Sequence, residues 1–273
     1  MMIQGWPLNN FSQRFLFFFI ILLQILCLPK SSAAVSGFVY ADYMLAHVTG
    51  LAQTPRGGNI GTSNLAHPSF ADVNIQHDNI YGVGIGGRYN DYFAAFDYHH
   101  WHPQGSNVLQ QNLTTHGRFI PAGNVFNMQV IYDWCRLGFG KNYFFLNDRL
   151  TFSPLIIGNW LQYHYEFSSI PASSIRTYTL LAANVGFEVD YQIMPRLSAF
   201  FQTNVSIPVS NLNISQAVFG FAYDVLCFSR VTITPNISLG FLRIDYEDNQ
   251  TFRNHLRYRA WPYVNLGLMA SFG

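Results

Sequence analysis

The stretch that decides the fold is Tyr263-Val264-Asn265-Leu266-Gly267-Leu268-Met269-Ala270-Ser271-Phe272-Gly273. Val264, Leu266, Leu268, Ala270 and Phe272 fall on one side, and Tyr263, Asn265, Gly267, Met269 and Ser271 on the other. A period of two is the signature of a strand, here with one apolar face and one small or polar face. An apolar face has to meet something other than water. In a soluble sheet that is a core, and in a membrane barrel it is lipid, so the rest of the chain decides between them.

Composition favours lipid. Aromatic residues make up 17% of the chain, apolar residues 49% and charged residues 11%. That is too little charge for an ordinary soluble surface. An outer wall that meets lipid explains it, because lipid-facing positions are apolar without being core. Residues 1–34 read as a cleaved signal peptide: Arg14, the apolar run Phe15–Leu28 broken by Gln24, then Pro29, Lys30 and the small residues Ser32-Ala33-Ala34. Residues 35–273 then form one domain with no further apolar run long enough for a helical span. Without Arg14 and Lys30, 13 basic residues face 14 acidic ones, which offers nothing to nucleic acid. Cys135 and Cys227 remain in that domain and could pair, but two cysteines exclude a disulfide framework.

Alternation along residues 35–273 predicts ten strands, with eight and twelve as the alternative counts. They are Gly37–Thr49, Ile75–Tyr89, Tyr92–His102, Asn124–Leu137, Leu150–Phe167, Thr177–Tyr191, Leu197–Ser206, Gln216–Leu226, Val231–Arg243 and the C-terminal stretch. In the fourth, Phe126, Met128, Val130, Tyr132 and Trp134 are expected outward, and Asn127, Gln129, Asp133 and Cys135 inward. Pro235 inside the ninth is anomalous, since proline cannot donate to a ladder. Gly82, Gly84 and Gly86 alternate on the inward face and leave room for large side chains opposite. Odd-numbered connections are long, notably Gly50–Asn74 and Pro103–Gly123, and even-numbered ones are short. Short turns on one side and long loops on the other suit an antiparallel transmembrane β-barrel.

On these residues the chain resembles bacterial outer-membrane β-barrels of the broad opacity and porin type. Their C-terminal signal has a polar residue, then Gly, then apolar residues alternating up to a terminal aromatic. Asn265, Gly267, Ala270 and Phe272 match it, although Ala270 is small and Gly273 follows the aromatic. The resemblance implies residence in the bacterial outer membrane, contact with its lipids and lipopolysaccharide, and recognition by the barrel assembly machinery. The long loops are placed to meet host or environmental ligands.

For the site, the inward pattern predicts a lumen lattice of Asp42, Asp97, Asp133, Glu188, Asp190, Asp224, Arg88 and Arg136. Charges shielded from lipid inside a barrel can pair there, either as a structural plug or as the selectivity element of a narrow pore. Asp97-Tyr98-His99-His100-Trp101-His102 is the most chemical-looking stretch. In a strand, Asp97 shares a face with His99, and His100 with His102, so an acid–base pair is conceivable. The plainer expectation puts Trp101 and these histidines in an outer aromatic girdle. The spaced acidic pairs of outer-membrane proteases are absent, and His102 to Ser106 does not fit the spacing of lipid A deacylases. The reading is therefore a non-enzymatic barrel without cofactor or metal, acting as a narrow pore or surface adhesion and interaction platform. A membrane-embedded hydrolase (protease or lipid-modifying) and a purely structural barrel are the alternatives.

Overall fold

Ten long strands, each antiparallel to the next, close on themselves in sequence order. The computed structural model describes residues 35–53, 69–115, 118–170, 172–208, 210–228, 230–249 and 254–273. The expected signal peptide and much of the first long loop lie outside the described residues. The barrel strands are β1 (Val35–Gln53), β2 (His77–Tyr89), β3 (Tyr92–Trp101), β4 (Val125–Lys141) and β5 (Leu150–Ser169). They continue as β6 (Ser173–Met194), β7 (Leu197–Ser206), β8 (Leu212–Tyr223), β9 (Val231–Glu247) and β10 (His255–Phe272). β10 closes the barrel on β1, from Phe272 opposite Gly37 to His255 opposite Gln53. Closure pairs each strand with a neighbour on both sides through the lower part of the barrel, the condition for a sheet surrounded by lipid.

A tilted strand crosses a bilayer in about 9–11 residues. β5 has 20 and β6 has 22. The surplus stands beyond the lipid, on the side of the long loops, and there the faces exchange chemistry. In the lower tier the wall is apolar outside, with Leu45, Val83, Ile156, Leu181, Leu239 and Leu266 exposed. Inside are glycines and polar groups such as Gly84, Asn159, Asn184, Asn204 and Ser238. In the upper tier the outside is polar, as at His77, Asn127, His164, Thr179, Arg243 and Arg257. The inside there is a packed core of Trp101, Tyr132, Tyr163, Tyr165, Phe167 and Tyr258, all fully or almost fully buried. Each tier puts apolar atoms where water is absent: against lipid below, against each other above.

This exchange corrects the expectation for β4. Phe126, Met128, Val130, Tyr132 and Trp134 point inward and are buried, whereas Leu137 and Phe139 at the lower end of the strand are 45% and 53% exposed. β4 alternates so cleanly because most of it lies above the lipid. Asp133 and Cys135 consequently face outward.

Two further expectations change. Pro103–Gly123 is not simply a loop: Gln104–Val108 extends the sheet along β4, and Leu113–Thr115 pairs with Arg118–Ile120. The end of the first long connection folds back over the upper mouth. There Phe70 is wholly buried, its amide donates to the carbonyl of Gly50, and its ring meets Tyr258 edge-on at 6.1 Å. Pro235 sits where the β8 ladder stops, at Asn236 opposite Ala222, so its missing N–H falls at a break in pairing. Cys135 and Cys227 are free thiols.

Candidate functional site

At the boundary between the tiers a polar layer crosses the lumen. His99 of β3 is buried between two carboxylates, with Nδ1 3.2 Å from Asp97 and Nε2 3.5 Å from Asp42 of β1. Arg136 of β4 donates from Nε to Asp97 at 2.5 Å and from Nη1 to Oε1 of Gln216 at 2.8 Å. Its guanidinium also lies 4.7 Å from the Trp134 ring. Gln216 in turn donates to the Tyr263 hydroxyl at 3.2 Å. An amide chain completes the layer: Asn184 donates to Asn204 at 2.7 Å, Asn159 to Asn184 at 3.1 Å and Trp134 Nε1 to Asn159 at 3.1 Å. Eight of the ten strands contribute. A charged group stripped of water has to be paired and hydrogen-bonded to persist, and this layer meets that condition for Asp97 and Arg136.

The sequence-derived lattice thus divides. Asp42, Asp97 and Arg136 come together. Glu188, Asp190 and Arg88 form a second group toward the short-turn end, where Asp190 also interacts with Ser198 and Asp224. Asp224 accepts a hydrogen bond from Thr234 at 2.6 Å. Asp133 is not in the lumen at all. The amides Asn159, Asn184, Asn204 and Gln216, and His99 as their counterpart, were not part of the lattice read from sequence. Their signal was present as inward polar positions at matching depth on successive strands, but depth requires the register.

Around the layer, large inward rings rest on glycines of the neighbouring strand. Tyr40 stands opposite Gly84 and Tyr263 opposite Gly240, where any Cβ would collide with the ring. Above it, Trp101 stacks on Tyr132 at 4.6 Å, and Tyr132 meets Tyr163 at 5.5 Å and Tyr258 at 5.2 Å. Trp101 is therefore core, not girdle. Asp78, 6% exposed among these rings, accepts from the Tyr258 hydroxyl at 3.1 Å and from the Asn79 amide at 2.9 Å. Burial pushes its carboxyl up to about 7, against the lowering effect of those two hydrogen bonds.

A second cluster lies on the outer wall, at the upper margin of the lipid belt. His100 Nδ1 is 2.9 Å from Asp133 Oδ1, and the Tyr98 hydroxyl donates to the same oxygen. Beside them Gln129 donates to Glu166 at 2.6 Å, and His164 Nδ1 lies 2.8 Å from the Thr177 hydroxyl. Below runs a shallow, mainly apolar groove of about 610 Å³ lined by Phe96, Cys135, Leu137, Trp160 and Leu181, with Gly158 leaving space at its floor. The acid–base pair that the sequence suggested for Asp97 therefore occurs twice, sealed in the lumen as Asp97–His99 and exposed to the membrane boundary as Asp133–His100. Among the described residues no three His, Cys, Asp or Glu side chains converge on a metal position.

The assembly-signal residues lie on the closing strand. Asn265 and Gly267 face the lumen between β1 and β9, and Ala270 and Phe272 face outward beside Val39 and Gly37. A closed ten-stranded barrel girdled by exposed apolar side chains makes this chain an antiparallel β-barrel of the transmembrane type. No protein-family model and no curated protein matches the chain. Solved barrels do. The outer-membrane protease OmpT of Escherichia coli aligns with a TM-score of 0.41 and 9% identity over 89% of this chain and 99% of that one. A FadL homologue of Pseudomonas aeruginosa gives 0.35 and 11% over 87% and 90%. Neisserial surface protein A gives 0.32 and 10% over 86% and 96%.

Proposed function

We propose that this barrel is closed and acts through its outer surface and its extracellular tier, as a non-enzymatic interaction platform rather than as a pore. The observation that carries the reading is the polar layer of Asp42, His99, Asp97, Arg136 and Gln216 beneath a stack of buried aromatic rings. Each would have to be dismantled to pass a solute. Barrels of about eight strands are filled by side chains, and ten lies near that end of the range. The polar upper tier, with its short strands Gln104–Val108, Leu113–Thr115 and Arg118–Ile120 and the long first connection, is where host or environmental partners would bind. Lipopolysaccharide would surround the wall, and the C-terminal strand would be read by the assembly machinery.

The test is planar-bilayer conductance of the refolded protein. The expected trace shows no steady openings. Steady, ion-selective openings that change in Glu188→Gln and not in Asp133→Asn would refute the closed reading.

A second reading has one observation in its favour: the Asp133–His100 pair sits on the outer wall at the head of an apolar groove, where an acyl chain can lie. It would make the protein a hydrolase of outer-leaflet lipids, with His100 as the base and Asp133 orienting it. Incubation with ester-linked lipid substrates tests it, and activity that disappears in His100→Ala would favour it over the platform.

A further inference from the structure

The upper margin of the belt is electrically lopsided. On β9 and β10 the last lipid-facing side chains are Phe241 and Trp261, whose rings meet edge-on at 6.1 Å, and Trp261 is 63% exposed. The first outward positions above them are Arg243 and Arg259, which stand directly opposite each other in the ladder, and Thr49 of β1 flanks Arg259 on its other side. Like charges facing across a strand pair repel. Acidic relief comes from further out: Asp245 takes Arg243 at 2.8 Å, Arg257 at 3.4 Å and His255 at 3.0 Å, so one carboxylate serves three groups. Arg259 has no carboxylate within ion-pair distance among the described residues. The Nε atoms of Arg243 and Arg259 are shielded from water and have no acceptor. His47 and His77 of β1 and β2 continue the same wall. Among the described residues the opposite wall at this depth carries His100, Asp133, Gln162 and Thr179 and no arginine or lysine.

We propose that Arg243 and Arg259 form a docking site for a phosphorylated glycolipid headgroup of the outer leaflet, the phosphate of lipopolysaccharide, whose acyl chains pack on Phe241 and Trp261. Two planar guanidinium groups one row above the apolar belt offer a phosphate several charge-assisted hydrogen bonds. An anion between them also removes their mutual repulsion. Charge complementarity selects the occupant: the site is cationic, at headgroup depth and continuous with lipid-facing aromatics, which a zwitterionic headgroup does not match as well. The inference rests on the placement of the barrel in the membrane and not on whether its lumen is closed.

The test is binding of purified lipopolysaccharide to the refolded protein in micelles, read from fluorescent-lipopolysaccharide titrations. Arg243→Gln combined with Arg259→Gln should weaken binding at least about tenfold, as should enzymatic removal of the lipid phosphates from the ligand. Arg176→Gln, elsewhere on the barrel, should change nothing. Equal binding by the double variant, or by dephosphorylated lipopolysaccharide, would overturn the proposal. Displacement of the lipid by millimolar inorganic phosphate would also overturn it, by showing a site for free anions. Should the double variant not refold, as judged by heat-modifiable migration, the dephosphorylated ligand against the unaltered protein still decides.

Discussion

Asp78→Asn should make the barrel gain stability relative to the parent as pH rises from acid to alkali. Asp78 lies three residues above the belt residue Tyr81, inside the upper tier, and is 6% exposed. Burial raises its carboxyl from 3.8 to about 7. For an acid whose folded value lies above its unfolded value, the protonated form is the one that folding favours. Its contribution is complete below pH 3.8 and is lost as pH rises through about 7. A shift of that size corresponds to roughly 4 kcal/mol lost between the two limits. Asparagine removes the charge while keeping an acceptor for the Asn79 amide. The Tyr258 hydroxyl can turn to accept from the new amide, which leaves its own proton without that acceptor, a cost of about 1–3 kcal/mol that is the same at every pH and leaves the trend with pH intact. Urea unfolding of refolded protein in micelles, followed by tryptophan fluorescence, gives stability at pH 4, 6 and 8. From pH 4 to pH 8 the variant should gain a few kcal/mol on the parent, over any constant offset between them. A difference that does not change with pH, or one in which the parent gains on the variant as pH rises, would refute the reasoning. Other carboxylates cancel in the comparison. Asp245 would in any case act at the acidic end. It is desolvated, but hydrogen bonds from His255 and Arg243 hold it well below the usual range, so its contribution is lost only as pH falls.

Trp101→Ala should cost about 3–5 kcal/mol, the range for deleting a large ring from a packed core, and a loss below about 1 kcal/mol in the same unfolding assay would mean the upper tier is not a core. Asp97→Asn should cost about 3–5 kcal/mol because it strands buried Arg136, whereas Asp133→Asn, on the outer wall, should change stability by no more than about 1 kcal/mol; similar losses for the two would contradict their placement on opposite faces. Phe272→Ala should lower the amount of barrel in the outer membrane of cells several-fold while refolding in micelles stays intact, and equal loss in both settings would make Phe272 a packing residue rather than a recognition signal.

The strand count and the closure were legible because each depends only on local pattern; the alternation of loop lengths was not, since β5 ends at Ser169 and β6 begins at Ser173, which makes an expected long connection shorter than the expected short one at 142–149. A turn is recognisable from its own residues, and a period of two survives whichever way the strand faces. The orientation of a strand is different. The rule that apolar means outward holds on β5 for Phe152, Ile156 and Trp160, is broken by the inward Leu155 and Ile157, and reverses from Leu161 onward, and for β4 it fails over most of the strand. No residue in β4 announces that it stands in water. Only its register against β5, with Trp134 opposite Leu161 and Leu137 opposite Gly158, shows where the lipid ends. The candidate site suffered for the same reason. Asp42, Asp97 and Arg136 were found because charge is conspicuous, and their partners Gln216, Asn204, Asn184 and Asn159 were missed because an inward amide is unremarkable until eight strands are aligned.

Once the register is known, the exchange of faces becomes a depth gauge. A strand's apolar side reports which of its two surroundings lacks water, so the residue at which that side switches marks the membrane boundary. On β5 the switch falls between Trp160 and Gln162, on β6 between Leu181 and Thr179, and on β10 between Trp261 and Arg259. The cross-strand ladder brings Trp160 opposite Leu181, so two of these switches are the same boundary seen from neighbouring strands. That boundary passes through His100 and Asp133 on one wall and Arg243 and Arg259 on the other, and inside the barrel it coincides with the polar layer around Arg136. The polar layer crosses the lumen at the depth where the outer wall changes from lipid to water, and on the outside at that depth stand a carboxylate shared by three groups and two arginines whose Nε atoms lack acceptors. For this chain the physics therefore directs experiments to the ring of headgroups around the barrel and the tier above it, ahead of any path through its centre.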